Sequence, residues 1–241
     1  AYVPLGSLEW HGPHIAMGND TLKIHAVCVR IAKRTGGVVL PPTFWGISTG
    51  GQDKTLKREH YSVHVNHAFL LESLYVVIFS ELVRIGVKLI VPFCGHTPAD
   101  QIDIVRIAAS RATEHSQSRT LPLSDIDVCW RALGIKEDYV QLAKRAEWEL
   151  LRKRLGEVFD QGLYGGDHAA YGETSILMHL RPELVDMKRL PVPSEPKGNW
   201  WQALGIGGLD PSKATPEAGQ RMVERIVEEA AKRVGKELGQ L

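Results

Sequence analysis

The chain has 241 residues, with 29 Lys and Arg residues against 28 Asp and Glu residues, so its net charge is +1. This balance provides no basic field for nucleic acid and no polybasic patch for anionic lipid. Hydrophobic residues make up 44% of the chain and charged residues 24%, which is typical of a globular protein. No apolar run approaches the roughly 18 residues that a membrane-spanning helix needs. We therefore expect a protein that binds neither nucleic acid nor membranes.

Strands and helices are predicted to alternate in the first half of the chain. Residues 20–34 carry Leu22, Ile24, Val27 and Ile31 near helical spacing, and a Gly pair ends the run, so a helix is expected there. The predicted order is strand, helix, strand, loop, edge strand and helix, at 1–6, 20–34, 38–40, 43–60, 61–65 and 67–85.

The second half continues this alternation. Residues 88–93 (KLIVPF) form a continuous apolar run, which is typical of a strand buried on both faces. Helices are predicted to follow at 99–114, 137–155, 169–180 and 215–237. The stretches 116–136 and 190–212, rich in Pro, Gly and Trp, are predicted to run over the surface or over the site. Alternating strands and helices predict an α/β fold with a mostly parallel sheet.

Length and composition also suggest the organisation of the chain. We expect a single domain over residues 1–241. Because the first residues already read as a buried strand, we expect a further N-terminal segment to precede residue 1. Cys28, Cys94 and Cys129 are few and far apart, as in a protein of a reducing compartment, so we expect a cytoplasmic location. No dinucleotide or P-loop motif is recognisable, so no nucleotide cofactor is expected.

The segment GSLEWHGPHIAMGND, after the first predicted strand, contains three candidate metal ligands, Glu9, His11 and Asp20. Glu9 and His11 are two residues apart, so in an extended segment their side chains point the same way. Asp20 arrives at the start of the next helix. Carboxylates and imidazole are ligands that Zn²⁺, Mn²⁺ and Fe²⁺ accept. The alternative is that Asp20 merely caps its helix.

Two further segments carry the same residue types. His96 lies just beyond the strand 88–93, at the sheet edge where ligands bind in open α/β folds. His168 and Glu173 belong to GGDHAAYGETS and are five residues apart, so on a helix they face different ways and are expected to have different roles. A lone histidine in either place is more often a packed residue, and Glu173 could simply favour a helix N-terminus.

These segments together resemble the creatininase (creatinine amidohydrolase) family. The family's first motif is matched by GSLEWHGPH at residues 6–14, with Asp20 at the head of the following helix. Its central strand ends in Gly-His, matched by Gly95 and His96, and its third motif is matched by His168-Ala169 and Glu173-Thr174-Ser175. The resemblance extends from residue 1 to about residue 190, in the order of the family.

The resemblance implies a three-layer α/β/α sandwich, assembled as a homohexamer, that holds one or two divalent ions (Zn, Mn or Fe). Glu9, Asp20 and His96 would hold the first ion. His11, the bridging Asp20 and a further carboxylate would hold the second. Creatininase itself has a Glu two residues after the Gly-His histidine, where this chain has Pro98. The carboxylate then comes from Glu173, from elsewhere, or is absent, and creatinine as the substrate is in doubt.

The expected chemistry is hydrolysis of a small substrate by water that a divalent ion has ionised. His168 and Glu173 are the candidate catalytic residues, with His168 transferring a proton to the leaving group. Trp45, Ser48 and Trp200 are the candidate substrate-binding residues, although aromatic residues more often serve packing.

Three functions are considered for the chain, and the first is favoured. It is hydrolysis of a C–N bond in a small, cyclic or linear amide. The second is ring opening of a cyclic polyol ketone such as 3-dehydro-scyllo-inosose by C–C hydrolysis, for which the loop 48–60 supplies hydrogen-bonding side chains. The third is a non-catalytic binding subunit, which the presence of Glu9, His11, Asp20 and His96 disfavours.

Overall fold

A computed structural model describes residues 1–48, 61–191 and 200–240 of the chain, excluding the side chain of Trp200. The strands are β1 (Tyr2–Leu5), β2 (Leu89–Cys94), β3 (Arg119–Thr120) and β4 (Leu123–Ser124). The helices are α1 (Asn19–Thr35), α2 (Val76–Arg84), α3 (Ala99–Thr113), α4 (Asp125–Ala132), α5 (Tyr139–Lys144), α6 (Trp148–Asp160), α7 (Tyr171–Leu180) and α8 (Pro216–Leu238). A π-helical segment, Phe69–Tyr75, leads into α2, and short 3-10 helices occupy Pro182–Leu184, Met187–Arg189, Trp200–Leu204 and Pro211–Lys213.

The sheet is parallel and β2 is its central strand. One edge of β2 pairs with β1, and the other edge pairs with β3 near its start and with β4 near its end. Beyond β1, the chain forms single parallel bridges at Val39 and Thr43. The carboxyl ends of β1, β2 and β4 therefore meet at one edge of the sheet, where ligands bind in this class of fold.

Helices cover both faces of the sheet, which confirms the predicted three-layer α/β/α sandwich. Alternate side chains of β2 point to opposite faces. Val91 and Phe93 pack with α1, α4, α6, α7 and α8 on one face. Ile90 and Cys94 pack with the π-helical segment, α2 and α3 on the other. The strand reads as a continuous apolar run because both of its faces are buried.

Two predicted elements are wrong. The single helix predicted at 137–155 is two helices, because Ala146 adopts a left-handed backbone conformation, with φ of 55°, between α5 and α6. The stretch 116–136 does not merely run over the surface, since it supplies β3, β4 and α4, and the side chain of Trp130 is 1% exposed.

Other predictions hold in part. The edge strand predicted at 61–65 and the strand at 38–40 are reduced to isolated bridges. Of the predicted long loop, residues 49–60 lie outside the described part of the chain. Across the described ranges, no helix is both long and apolar enough to cross a membrane.

Candidate metal centre

Five acidic and histidine side chains lie buried together at the carboxyl edge of the sheet. Ionisable groups are seldom fully buried unless they are paired or bind metal. Each of these side chains is nevertheless at most 2% exposed: Glu9, His11, Asp20, His96 and Glu173. They come from the loop after β1, the first turn of α1, the end of β2 and the first turn of α7. The N-cap of α1 is Gly18, with no side-chain cap, so the alternative role of Asp20 as a cap is wrong.

His96 presents one ring nitrogen to two carboxylates. Its Nε2 lies 2.8 Å from the carbonyl oxygen of Ile47, and because a carbonyl only accepts, Nε2 must carry the proton. Nδ1 then faces Oε2 of Glu9 and Oδ2 of Asp20, each at 3.0 Å. Nδ1 and two carboxylate oxygens therefore point at one another.

His11 repeats this arrangement with a different pair of carboxylates. Its Nδ1 lies 2.8 Å from the carbonyl oxygen of Glu9 and so donates to it. Its Nε2 faces Oδ1 of Asp20 at 3.1 Å and Oε2 of Glu173 at 3.2 Å. Asp20 thus directs one carboxylate oxygen to each histidine and lies between the two sets.

The donor atoms at these two points fit divalent ions. Within the set Glu9, Asp20 and His96, and within the set His11, Asp20 and Glu173, one donor atom from each residue lies within 4.8 Å of the others. A nitrogen lone pair aimed at two carboxylate oxygens is repulsive unless a proton or a metal ion sits between them. Oxygen and imidazole donors suit Zn²⁺, Mn²⁺ or Fe²⁺. Glu173 thus lies close enough to His11 and Asp20 to supply the further carboxylate that the family resemblance implies.

The pKa shifts of the cluster also indicate that it favours a bound positive charge. Burial on its own would lower the pKa of His96, but attraction to Glu9 and hydrogen bonds with Asp20 and Glu9 raise it to about 10. Burial would raise the pKa of Glu173, but Lys23 and His11 lower it to about 2. The carboxylates are thus held ionised and the histidines attract a positive charge. A metal ion can take the place of the protons.

Outer contacts fix the orientation of His96. Ile47, whose carbonyl accepts the histidine N–H, donates its own backbone N–H to Oε1 of the buried Gln101 at 2.9 Å. The amide of Gln101 donates to the hydroxyl of Tyr75 at 3.4 Å, and that hydroxyl donates to the carbonyl of Trp45 at 3.4 Å. Such contacts set the tautomer and direction of a metal-binding histidine.

His168 borders the cluster, and with Glu9 and His11 it forms a third set whose donor atoms lie within 4.8 Å of one another. Its Nε2 donates to the carbonyl of Trp10 at 2.7 Å, and its Nδ1 lies 3.7 Å from Oε2 of Glu9. Its ring centre is 4.3 Å from that of His11, and the side chain is 15% exposed. His168 can therefore exchange a proton with a molecule bound next to the carboxylates.

A buried lysine network adjoins Glu173, and the sequence analysis missed it. Nζ of Lys23 lies 2.8 Å from Oδ2 of Asp125 and 2.8 Å from Oε1 of Glu173, and the hydroxyl of Tyr164 is 3.5 Å away. Lys23 is 1% exposed. Burial on its own would lower the pKa of Lys23, but Asp125 and Glu173 raise it well above the ordinary value. One signal is present in the sequence, because Lys23 lies one turn after Asp20 and one turn before the buried Val27.

Asp167 is a second residue that the sequence analysis missed. Its carboxylate accepts the backbone N–H groups of Gly172 at 2.7 Å and Glu173 at 3.0 Å, at the start of α7. Burial, together with repulsion from Glu173, raises the pKa of Asp167 to about 7. Asp167 thus positions the backbone that carries Glu173.

A cavity of about 520 Å³ opens onto the cluster. Its lining includes Glu9, Asp20, His96, His168 and Glu173, and also the apolar or aromatic side chains of Ile126, Tyr139, Trp148, Leu151 and Leu155. Ser48 also lines the cavity, as predicted for a substrate-binding residue. Trp45 does not line it: its side chain is 42% exposed, because its backbone carbonyl rather than its ring faces the core. The side chain of Trp200 lies outside the described part of the chain.

We expect Gly95→Ala to lower the metal content of the protein. A Cβ at Gly95 would lie 2.3 Å from the backbone oxygen of Asp20, so α1 must move away from β2. Such overpacking costs about 1–3 kcal/mol and separates Asp20 from His96. Elemental analysis and thermal unfolding measure both effects. The control is Gly156→Ala in α6, where a new Cβ meets nothing within 4 Å and should stabilise the helix. Equal metal content in Gly95→Ala and the unsubstituted protein would contradict the argument.

His14 is expected to make stability depend on pH. Its Nε2 donates to the Thr174 hydroxyl at 2.9 Å, and burial, with repulsion from His11, lowers its pKa to about 4. Because the unfolded histidine titrates near 6.5, the unfolded chain binds more protons below that value, and stability falls as the pH drops towards 4.

The size of this effect can be measured by urea unfolding of the chelator-treated protein between pH 7 and pH 4.5. His14→Gln retains a donor for Thr174 but cannot titrate, so it should lose less stability over that range, by on the order of 1–3 kcal/mol. Parallel stability curves for the two proteins would show that His14 carries no such penalty.

Comparisons with known proteins agree with this geometry. The family model "Creatininase: Creatinine amidohydrolase" matches residues 1–234. The creatinine amidohydrolase of Pseudomonas putida is 27% identical over 197 residues, which cover 78% of this chain and 66% of that protein. The chain thus spans slightly less than two thirds of this relative. The mycofactocin precursor peptide peptidase of Mycobacterium ulcerans (strain Agy99) is 26% identical over 257 residues, covering 97% of this chain and 84% of that protein.

Solved structures share the fold. A crystal structure of creatinine amidohydrolase (creatininase) superposes with a TM-score of 0.70 at 26% identity, covering 98% of this chain and 89% of that one. A structure described as "Creatininase Mn" has a TM-score of 0.69 at 24% identity, covering 98% and 90%. A creatininase mutant described as "Zn-Zn type" has a TM-score of 0.69 at 24% identity, covering 98% and 89%. These names refer to amide and peptide chemistry and give no support to a C–C hydrolase.

Proposed function

The chain belongs to the creatininase family, and we propose that it is a metal-dependent hydrolase that cleaves a C–N bond in a small amide. One observation carries this proposal. His11 and His96 each donate one ring N–H to a backbone carbonyl and turn the other nitrogen towards two buried carboxylate oxygens. A purely structural pair of histidines would not need four carboxylate contacts at a sheet edge that opens onto a cavity.

The proposed ligands form two sets that share Asp20. Glu9, Asp20 and His96 would hold one ion, and His11, Asp20 and Glu173 the other. Divalent ions bound by these two sets would ionise a water molecule at neutral pH and would polarise the substrate carbonyl. Zinc, manganese and iron all suit these donors, and the solved relatives named for manganese and zinc support the first two.

His168 would move the proton. Because its Nε2–H is committed to the Trp10 carbonyl, Nδ1, which lies 3.7 Å from Oε2 of Glu9, would accept a proton from the attacking water. Nδ1 lies beside Glu9 in the lining of the cavity, so the same atom can pass the proton to the leaving nitrogen. A histidine suits this transfer because its ordinary pKa is near neutrality. Glu173 would act as a ligand rather than as the proton carrier, because its oxygens contact Lys23 and His11.

The cavity favours a small substrate with an apolar flank. Its volume of about 520 Å³ suits a compact molecule, and its lining adds apolar side chains such as Ile126, Leu151 and Leu155 to the polar cluster. Pro98 also lines the cavity, at the place of a Glu in creatininase, so creatinine is not assumed to be the substrate.

The test is to incubate the metal-loaded protein with creatinine, formamides and short linear amides and to measure their hydrolysis. Release of ammonia, amine or formate is expected with at least one of them, and His168→Ala should lose most of this activity while binding the same amount of metal. An inosose-type ketone is included. Opening of that ketone without any release of amine or formate would replace the amidase proposal with C–C hydrolysis. Failure to bind metal at all would favour a binding subunit.

Three further properties stay predictions. The homohexamer and the cytoplasmic location come from the resemblance and the composition, and the single domain over 1–241 comes from length. Analytical ultracentrifugation of the metal-loaded protein tests the first of these.

A further inference from the structure

We propose that Lys23 is a positioning residue that makes Glu173 a ligand through one oxygen only, at the second metal position. This inference rests on the proposed function, because it concerns the same metal centre. Nζ of Lys23 lies 2.8 Å from Oε1 of Glu173, whereas Oε2 faces Nε2 of His11 at 3.2 Å. The two oxygens of one carboxylate are therefore divided between a buried cation and the metal position.

Each oxygen of the Glu173 carboxylate is held in place by a further contact. Oε2 also accepts the backbone N–H of Ala169 at 2.8 Å, so the carboxylate is held in one rotation. Oε1 is 3.4 Å from the hydroxyl of Tyr164 as well as 2.8 Å from Nζ of Lys23. Turning Glu173 to offer both oxygens to an ion would break its contact with Lys23, whose side chain is only 1% exposed.

Helix geometry links Lys23 directly to the centre. Lys23 follows Asp20 by three residues, so both side chains project from the same face of α1 within one turn. The helix thus supplies the shared carboxylate and, one turn later, the cation that restrains the neighbouring carboxylate. Asp125, at the start of α4, lies 2.8 Å from Nζ of Lys23 and anchors the cation from the opposite side.

The chemical consequence is an incompletely filled second position. His11, Asp20 and Glu173 each direct one atom towards it. Catalytic metal sites characteristically have three protein donors and leave a position for water or substrate, whereas structural sites are filled. Lys23 would keep that position available by withholding Oε1.

Two variants separate this role from a purely structural one. Asp125→Asn removes the Lys23–Asp125 ion pair but leaves Lys23 on Glu173, and Oδ1 of the amide can still accept the Ile126 N–H that Asp125 accepts at 2.9 Å. Lys23→Met combined with Asp125→Asn removes the same ion pair and also frees Oε1. Only the second protein should change how Glu173 binds metal.

The probe is cobalt(II), added alone to the chelated full-length chain, because its visible absorption weakens as its coordination number rises. The unsubstituted protein and Asp125→Asn are expected to bind two equivalents with the same spectrum. The double variant should bind two equivalents with weaker absorption, since Oε1 joins the second ion. If the double variant does not fold, Lys23→Leu with Asp125→Asn makes the same comparison with a shorter apolar side chain that cannot donate to Oε1.

Superimposable spectra from all three proteins would overturn the role of Lys23 while leaving the metal centre intact. An equal change in Asp125→Asn would also overturn it, because Lys23 still contacts Glu173 in that variant. Absence of cobalt binding in the unsubstituted protein would instead overturn the proposed function, so the two failures are distinguishable.

Discussion

Asp20→Asn is expected to lower kcat/KM by at least about 1000-fold, more than the 10–100-fold that follows loss of an outer contact to a metal ligand. Asp20 directs Oδ1 to the His11 set and Oδ2 to the His96 set. An amide nitrogen in place of either oxygen removes one donor and turns an N–H towards the ion. Both ions should therefore be bound more weakly in the variant.

The measurement combines elemental analysis with turnover of whichever amide the metal-loaded protein hydrolyses. The fold should persist, because asparagine has nearly the size of aspartate and its remaining side-chain oxygen can still face one of the two histidines. Asp160→Asn, an exposed residue at the end of α6, is the matched control and should bind metal and turn over normally. Full turnover by Asp20→Asn would mean that the centre lies elsewhere.

Lys23→Met is expected to destabilise the metal-free protein by about 3–5 kcal/mol, which is the usual penalty for removing one partner of a buried ion pair. Methionine has a similar length but no charge, so Asp125 and Glu173 would be left buried without their shared cation. Asp125 is sensitive to this loss, since burial already raises its pKa to about 6 against the attraction of Lys23.

Urea unfolding of chelated protein measures the difference, and adding Asp125→Asn to Lys23→Met should restore part of it by removing the stranded charge. The two substitutions are then strongly non-additive, as expected for residues in one network. A loss below about 1 kcal/mol for Lys23→Met alone would show that water or a neighbouring donor solvates the two carboxylates.

Much of the architecture could be predicted because it depends on local patterns. The apolar run 88–93 predicts a strand with two buried faces, and β2 packs into a separate core on each face. The break between α5 and α6 could not be predicted, because Lys144, Arg145 and Ala146 are ordinary helix-forming residues. Ala146 ends the helix in a left-handed conformation, within a local turn in which the Glu147 N–H donates to the Leu142 carbonyl at 3.0 Å, and glycine is the residue that usually marks such a turn in a sequence.

The same distinction applies to the candidate site. Glu9, His11, Asp20 and His96 were expected to meet, and their side chains do lie together. Glu9 and His11 do not face one common point through their side chains alone, however. Glu9 contacts His96, whereas His11 contacts Asp20 and Glu173, and Nδ1 of His11 donates to the backbone carbonyl of Glu9. Lys23 and Asp125 could not be paired from the sequence, since they are 102 positions apart and belong to different helices.

The wide separation of these residues along the chain also bears on how the protein acquires its ions during folding. His96 meets Asp20 across 76 positions, and Lys23 meets Glu173 across 150. Closing such long loops is entropically expensive and slow, so the donors come together only after the sheet and its helices have assembled. Dissolved zinc or manganese should then leave the rate of refolding nearly unchanged and slow the rate of unfolding, as stopped-flow measurements would show.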